Sequence, residues 1–107
     1  MAYYMLQVAY SPESLANQIK NPQNVVDRTG AVIERLGGRL LSTYYAFGEY
    51  DLVQIIEFPG NVSAASLGIA AAAGGALKAA KTTPLMTVEE GMEAFKKAAG
   101  AEYQPPM

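Results

Sequence analysis

Two strand-like runs stand on either side of Gly48 and Glu49: RLLSTYYAF at residues 39–47 and YDLVQIIEF at residues 50–58. Glycine at the first central position of a two-residue loop is typical of a type II′ β-hairpin. This turn predicts three cross-strand pairs: Phe47 with Tyr50, Tyr45 with Leu52, and Thr43 with Gln54. A slip of one residue would move every side chain to the opposite face of the sheet. The hairpin therefore decides which polar residues share a face.

The elements outside the hairpin are predicted from capping residues and apolar spacing. Before the hairpin they are a strand over residues 2–10, a short helix from Ser11 to about Lys20, and a second helix that starts at residues 21–23 and ends at Gly37-Gly38. After the hairpin they are a third helix from Asn61 to Gly74-Gly75, a strand over residues 77–86, and a helix from Thr87 to about Ala99. Pro84 is expected either on an edge strand or at the end of its strand. This order predicts an α+β fold of the ferredoxin-like βαββαβ type. The first helix is split, two helices cover one face of a four-stranded antiparallel sheet, and an extra helix follows.

The length and composition limit both the architecture and the chemistry. A chain of 107 residues is the size of one domain, which should cover residues 1–100, with residues 101–107 as a flexible tail. Because the chain lacks cysteine and histidine, disulfides, a thiolate nucleophile and a Ser-His-Asp triad are excluded, and we expect no cofactor and no metal site. A net charge of −2 argues against nucleic acid as a partner. No signal peptide or membrane segment is recognisable, so we expect a cytoplasmic location.

The predicted sheet carries apolar side chains on both faces, although helices cover only one of them. Residues 4–8 and 52–56 do not alternate with polar residues as a solvated face would. An apolar helix-free face, named the open face, predicts a partner. Two copies of the sheet can cover each other across a two-fold axis, which predicts a homodimer or a higher multiple. The alternative is that the C-terminal helix folds over the open face.

The stretch YYAFGEYD at residues 44–51 resembles the signature of the GYD-domain family, with Glu49 inserted between Gly48 and the Tyr50-Asp51 pair. Three further stretches are similar to that family: Leu36-Gly37-Gly38, Asn61-Val62-Ser63-Ala64 and Lys81-Thr82-Thr83-Pro84-Leu85. The resemblance covers roughly residues 3–98 and implies a dimeric α/β barrel, in which two ferredoxin-like sheets pair. That wider class includes cofactor-free monooxygenases, lactone isomerases, haem-handling enzymes and effector-binding domains of transcription regulators. The resemblance therefore does not choose a reaction.

The residues Gly48, Tyr50 and Asp51 allow two interpretations. In the structural one, which we prefer, Gly48 supplies a positive φ, Tyr50 packs across the hairpin and Asp51 accepts hydrogen bonds from backbone N–H groups near the turn. In the functional one, Asp51 is an acid or base and Tyr50 is a hydrogen-bond donor at the mouth of a cleft. Tyr45 and Lys81 are the other catalytic candidates.

Two glutamines are candidate ligand-binding residues because they interrupt apolar strands. Gln7 lies between Leu6 and Val8, and Gln54 is flanked in the same way by apolar residues. A buried amide needs a hydrogen-bond partner. If both glutamines face the space between paired sheets, they either orient a ligand there or form an amide network across the interface.

Basic residues near the predicted fourth strand are the remaining candidates. Lys78 and Lys81 form a polar cluster with two threonines and are suited to an anionic ligand. Arg39 and Tyr45 join them as candidates, because the predicted register places both on one face with Gln54. The alternative, which we prefer for the lysines, is that they guard an edge strand against aggregation.

These observations favour a small homo-oligomeric ligand-binding or interaction module with a small-molecule cavity between paired sheets. The alternative is a cofactor-independent enzyme, of monooxygenase or isomerase type, that acts on a small aromatic or lactone-like substrate through Asp51, Tyr45 or Lys81. An enclosed pocket in which two of these groups converge would favour the enzyme. A third interpretation is a structural subunit of a larger complex, which would carry an apolar patch outside the dimer face.

Overall fold

The computed structural model describes residues 1–106 and contains four strands and four helices in that range. In chain order they are β1 (Ala2–Tyr10), α1 (Pro12–Lys20), α2 (Val25–Arg35), β2 (Arg39–Tyr45), β3 (Leu52–Phe58), α3 (Asn61–Ala73), β4 (Leu77–Leu85) and α4 (Val88–Gly100). The strands form one antiparallel sheet in the order β2-β3-β1-β4. The predicted ferredoxin-like α+β arrangement is confirmed, with β4 at an edge. Met107, the end of the predicted tail at residues 101–107, lies outside the described residues.

One face of the sheet and the helices that cover it form the hydrophobic core. Along β3, buried residues alternate with half-buried ones. The buried side chains of the core are Leu52, Ile56 and Phe58 from β3, Tyr4, Leu6, Val8 and Tyr10 from β1, Val25 and Ile33 from α2, and Ala64 and Leu67 from α3. Burial of one large apolar side chain contributes about 1.5–3 kcal/mol. This face therefore holds α2 and α3 on the sheet.

The helix starts are set largely by side-chain caps, and two of them differ from the prediction. Ser11 and Thr87 cap α1 and α4 as predicted. α2 begins later than predicted, because Asn24 Oδ1 accepts from the backbone N–H two residues on, at 2.9 Å. The predicted cap of α3 is wrong as well. Asn61 lies inside that helix, and its Oδ1 accepts a hydrogen bond from Tyr4 Oη at 2.6 Å.

The hairpin between β2 and β3 has the predicted register but a longer loop. Two of the predicted pairs are confirmed: Tyr45 with Leu52 and Thr43 with Gln54. The type II′ turn is wrong, since residues 46–51 form the loop and Phe47 does not pair with Tyr50. The backbone N–H of Asp51 donates instead to Val8 O of β1, at 2.8 Å. The loop is thus attached to β1 as well as to β2 and β3.

A β-bulge at Leu41 changes which face the first residue of β2 occupies. Two neighbouring pairs show the shift: Leu40 with Ile56 and Ser42 with Ile55. The extra residue between them reverses the alternation. As a result Arg39 lies on the open face, where its Nη2 is 3.0 Å from Glu57 Oε2. The prediction that Arg39 shares a face with Thr43 and Gln54 is therefore wrong.

The open face is not covered by the C-terminal helix within residues 1–106. On that face Met5, Val53 and Ile55 are half-buried, and α4 contains no buried residue. α4 extends away from the sheet in a molecule that measures 57 × 34 × 22 Å. The alternative in which this helix folds over the open face is therefore wrong for the chain as described. Within the same residues, no helix has the length and apolar character needed to cross a membrane.

Gly48 and Gly30 offer a matched pair of glycine-to-alanine substitutions. Gly48 has a φ of +146°, whereas Gly30 lies inside α2 with open space where a Cβ would stand. We expect Gly48→Ala to lower the free energy of unfolding by about 1–3 kcal/mol. Gly30→Ala should raise it by about 0.5–1 kcal/mol. Urea unfolding at one protein concentration measures both, and a Gly48→Ala protein as stable as the wild type would contradict the positive-φ loop.

Candidate ligand-binding site

Asp51 joins the hairpin loop to the end of β1 through its carboxylate and its backbone. Oδ2 accepts a hydrogen bond from the Tyr10 backbone N–H at 2.9 Å. The backbone N–H of Asp51 donates to Val8 O, and its carbonyl accepts from Ala46 N–H, both at 2.8 Å. These are bonds of the kind that the structural interpretation expects. Tyr50 is half-buried in the same loop.

Gln54 is a polar side chain inside the core, with 1% of its surface exposed. Its Nε2 donates to Thr29 Oγ1 on α2 at 2.9 Å and to Thr43 Oγ1 on β2 at 3.3 Å. Thr29 Oγ1 gives its single hydrogen to Val25 O at 2.7 Å, so it can only accept from Gln54. This chain of bonds directs the amide nitrogen toward Thr29. The buried Oε1 is left with no hydrogen-bond partner within residues 1–106.

Gln54 forms part of the wall of a cavity of about 320 Å³ between the sheet and helices α1, α2 and α3. Most of the wall is apolar, and its side chains include Leu6, Val8, Val32, Leu52, Leu67 and Ala71. Pockets that bind small molecules typically measure roughly 300–1,000 Å³. The cavity therefore suits a small ligand with an apolar body.

Tyr10 and Arg28 are further polar members of this wall. Burial raises the pKa of the Tyr10 phenol above its ordinary value, with smaller contributions from nearby Tyr45 and Asp51, while the charge of Arg28 opposes the rise. The phenol is therefore neutral at pH 7. Arg28 is exposed and also borders a polar groove along α1 and residues 21–23. It thus belongs to the walls of both the cavity and the groove.

The predicted ligand-binding residues are divided between the two sides of the sheet. On the open face, Gln7 pairs with Lys81, and Arg39 lies on the same face. Lys78 is exposed on the edge strand β4. Gln54 and Tyr45 lie on the helix-covered side. Gln7 and Gln54 therefore do not both face the space between paired sheets, as a shared site there would require. Of the predicted set, only Gln54 belongs to the cavity wall as described.

Sequence reasoning missed Tyr10, Arg28 and Thr29 as site residues. Thr29 carried a signal, because it is a polar residue at helical spacing from Val25 and Val32 on the apolar side of α2. Arg28 and Tyr10 carried none, since their proximity depends on how α2 packs against β1. A cluster of three or more carboxylates, histidines or cysteines suited to a metal ion is not found within residues 1–106.

Two substitutions of Asp51 separate its hydrogen bond from its charge. Asp51→Ala leaves the Tyr10 backbone N–H without its acceptor, and we expect the free energy of unfolding to fall by about 1–3 kcal/mol. Asp51→Asn keeps an acceptor oxygen at the same place, so it should lose much less stability. Chemical unfolding of the two variants measures the difference. Equal losses would show that the bond to Tyr10 does not stabilise the fold.

Comparisons with known proteins agree with this architecture. The family model described as GYD domain matches residues 4–95. The crystal structure of MtbAldR has a TM-score of 0.55 and 14% sequence identity to this chain, with 80% of this chain and 52% of that chain covered. At this identity the likeness concerns the fold alone, and the chain spans about half the length of MtbAldR. A comparison with curated proteins finds no match. Because the family model covers most of its length, the chain belongs to the GYD-domain family.

Proposed function

We propose that this protein is a homo-oligomeric small-molecule-binding module, with its ligand in the cavity between the sheet and the helices. The observation that carries the proposal is Gln54 Oε1, a buried acceptor without a partner on a residue that forms part of an apolar cavity wall. A buried polar atom left unpaired costs about 1–3 kcal/mol. Most buried polar atoms in proteins are satisfied. A ligand that donates a hydrogen bond to Oε1 would remove this cost.

The proposed site lies on the helix-covered side of the sheet rather than between paired sheets. A cavity between sheets would need Gln7 and Gln54 to face the same space, and the register places them on opposite faces. The helix-covered side combines volume, an apolar wall and a buried acceptor, which are the usual components of a ligand pocket. Each protomer would hold a complete site, so ligand binding and assembly can be tested separately.

The open face supports the homo-oligomeric part of the proposal. Tyr3, Met5, Val53, Ile55 and Leu85 share this face and are only half-buried. A contiguous apolar surface on a sheet is typical of a protein interface. Pairing of two open faces across a two-fold axis would cover both surfaces with a single contact.

The positions of Lys81 and Asp51 support binding rather than catalysis in the cavity. Lys81 lies on the open face, on the other side of the sheet from the cavity. Asp51 accepts a hydrogen bond from the backbone of β1, and neither residue belongs to the cavity wall. An enzyme that used these groups for proton transfer would need them to meet around one substrate.

One observation favours a second candidate function, that of a subunit in a larger assembly. The apolar side of α4 is exposed at Val88, Met92 and Phe95, by 81%, 55% and 80%. This patch lies outside the open face, as expected for a chain with a second contact surface. The two functions are compatible, because the cavity and α4 occupy different parts of the molecule.

Native mass spectrometry of protein purified gently from cells tests both parts of the proposal. We expect the mass of two chains, or a multiple of two, with additional mass from a retained small molecule. A clean monomer would overturn the homo-oligomeric part. A dimer that carries no added mass, before and after incubation with a cell extract of small molecules, would argue against the ligand.

Two isoleucine-to-lysine substitutions test whether the open face is the dimer surface. Ile55 is half-buried on the open face, whereas Ile69 is 70% exposed on α3. We expect Ile55→Lys to convert the dimer to a monomer, because a charge buried at an interface is costly, and Ile69→Lys to leave the dimer intact. Sedimentation measures the assembly, and circular dichroism checks the fold. A dimeric Ile55→Lys protein would place the contact elsewhere.

A further inference from the structure

The polar groups of the cavity wall differ in what they require from a ligand. Gln54 Oε1 is a neutral acceptor and lies on the central part of the sheet, where the residue is 1% exposed. Arg28 carries an exposed positive charge in the wall of the same cavity. The wall between them is formed mainly by aliphatic side chains. Gln54 and Arg28 thus belong to the wall of one cavity, the first with an unpaired acceptor and the second with a positive charge.

We infer that the ligand is a small amphipathic anion that donates a hydrogen bond to Gln54 Oε1, packs an apolar body against the wall and pairs its carboxylate with Arg28. This inference rests on the proposed function and specifies the ligand of the same site. A hydroxyl or an N–H group supplies the donor. The volume of about 320 Å³ lies near the lower end of the range for ligand pockets, which suits an aromatic acid with one ring.

Other ligand classes fit this arrangement less well. A cationic ligand would meet the positive charge of Arg28 and find no carboxylate in the cavity wall. A sugar would bury more hydroxyl groups than the apolar wall can bond. A simple aliphatic acid would pair with Arg28 but leave Gln54 Oε1 unpaired. A ligand that turned its carboxylate toward Gln54 would place its negative charge beside the amide oxygen Oε1.

The test uses calorimetric titration of the full chain with five matched probes. The first, 3-(4-hydroxyphenyl)propanoate, has the donor, the ring and the anion. In 3-phenylpropanoate the donor is missing, and in 3-(4-methoxyphenyl)propanoate it is blocked. In 4-propylphenol the anion is missing, and propylbenzene lacks both the donor and the anion. We expect loss of the hydroxyl to weaken binding about tenfold to a hundredfold, because Oε1 is again unpaired. Loss of the carboxylate should weaken it several-fold, and this difference should shrink as salt is raised.

Variants assign each preference to its residue. Gln54→Leu should abolish the preference for the hydroxyl, and Arg28→Met should abolish the preference for the carboxylate. Arg35→Met is the control on the same helix, because Arg35 is exposed and lies outside the cavity wall. Ala71→Trp should fill the cavity and prevent binding of every probe, whereas Ala73→Trp on the exposed side of α3 should not. If Gln54→Leu does not fold, the probe series on the wild type still measures the hydroxyl preference.

The outcomes distinguish the ligand class from the proposed function. Tightest binding of the hydroxyphenyl acid, with both preferences lost in the matching variants, supports the inference. Binding of all probes with equal affinity, blocked by Ala71→Trp, overturns the ligand class but supports a binding cavity. Binding that persists in Ala71→Trp places the site elsewhere and overturns the inference. If no probe binds, the ligand class is overturned, and the native mass measurement decides the binding function of the cavity separately.

Discussion

The register of β3 against its two neighbours is the constraint on which both the core and the site depend. Gln54 lies opposite Leu6 of β1 and Thr43 of β2, so all three point to the helices. Because side chains alternate along a strand, the same register turns Val53 and Ile55 to the open face. A shift of one residue would exchange the two sets, exposing the amide and burying the isoleucine.

Placing an amide in this core has a cost that only part of the structure offsets. The Thr29 hydroxyl accepts from Gln54 Nε2 because its own hydrogen is given to the α2 backbone. That bond fixes the orientation of the amide and connects α2 to the sheet. The other half of the amide has no partner, and a partly satisfied buried polar group is less stable than an apolar one of the same shape. The unpaired oxygen is the observation on which the proposed binding function rests.

The two sides of the sheet are suited to different tasks. The helix-covered side contains the cavity, with Gln54 and Arg28 in its wall, all within one protomer. The open side carries Met5, Val53 and Ile55 with Gln7 and Lys81 beside them. The pair of Arg39 with Glu57 lies on the same side. The bulge at Leu41 sends Arg39 to this side, away from the cavity. Arg39 is therefore not part of the cavity wall and lies beside the proposed interface.

Local signals in the sequence determined the elements, their order and the ferredoxin-like fold. Cap residues such as Ser11 and Thr87 and the edge position implied by Pro84 act within a few residues, so they can be predicted without the rest of the chain. The hairpin register was also predictable, since the apolar alternation of the two strands carries it. Family membership was predictable from the GYD stretch.

Only the tertiary structure decided the long loop at residues 46–51, the bulge at Leu41 and the composition of the cavity wall. Each depends on contacts between residues far apart in sequence, such as the bond from Asp51 N–H to Val8 O. The sequence showed that Gln54 needs a partner, but the packing of α2 on β3 decided that Thr29 satisfies its nitrogen and leaves its oxygen free. Side-chain period and capping are local properties of a chain, whereas a cavity is defined by the elements that surround it.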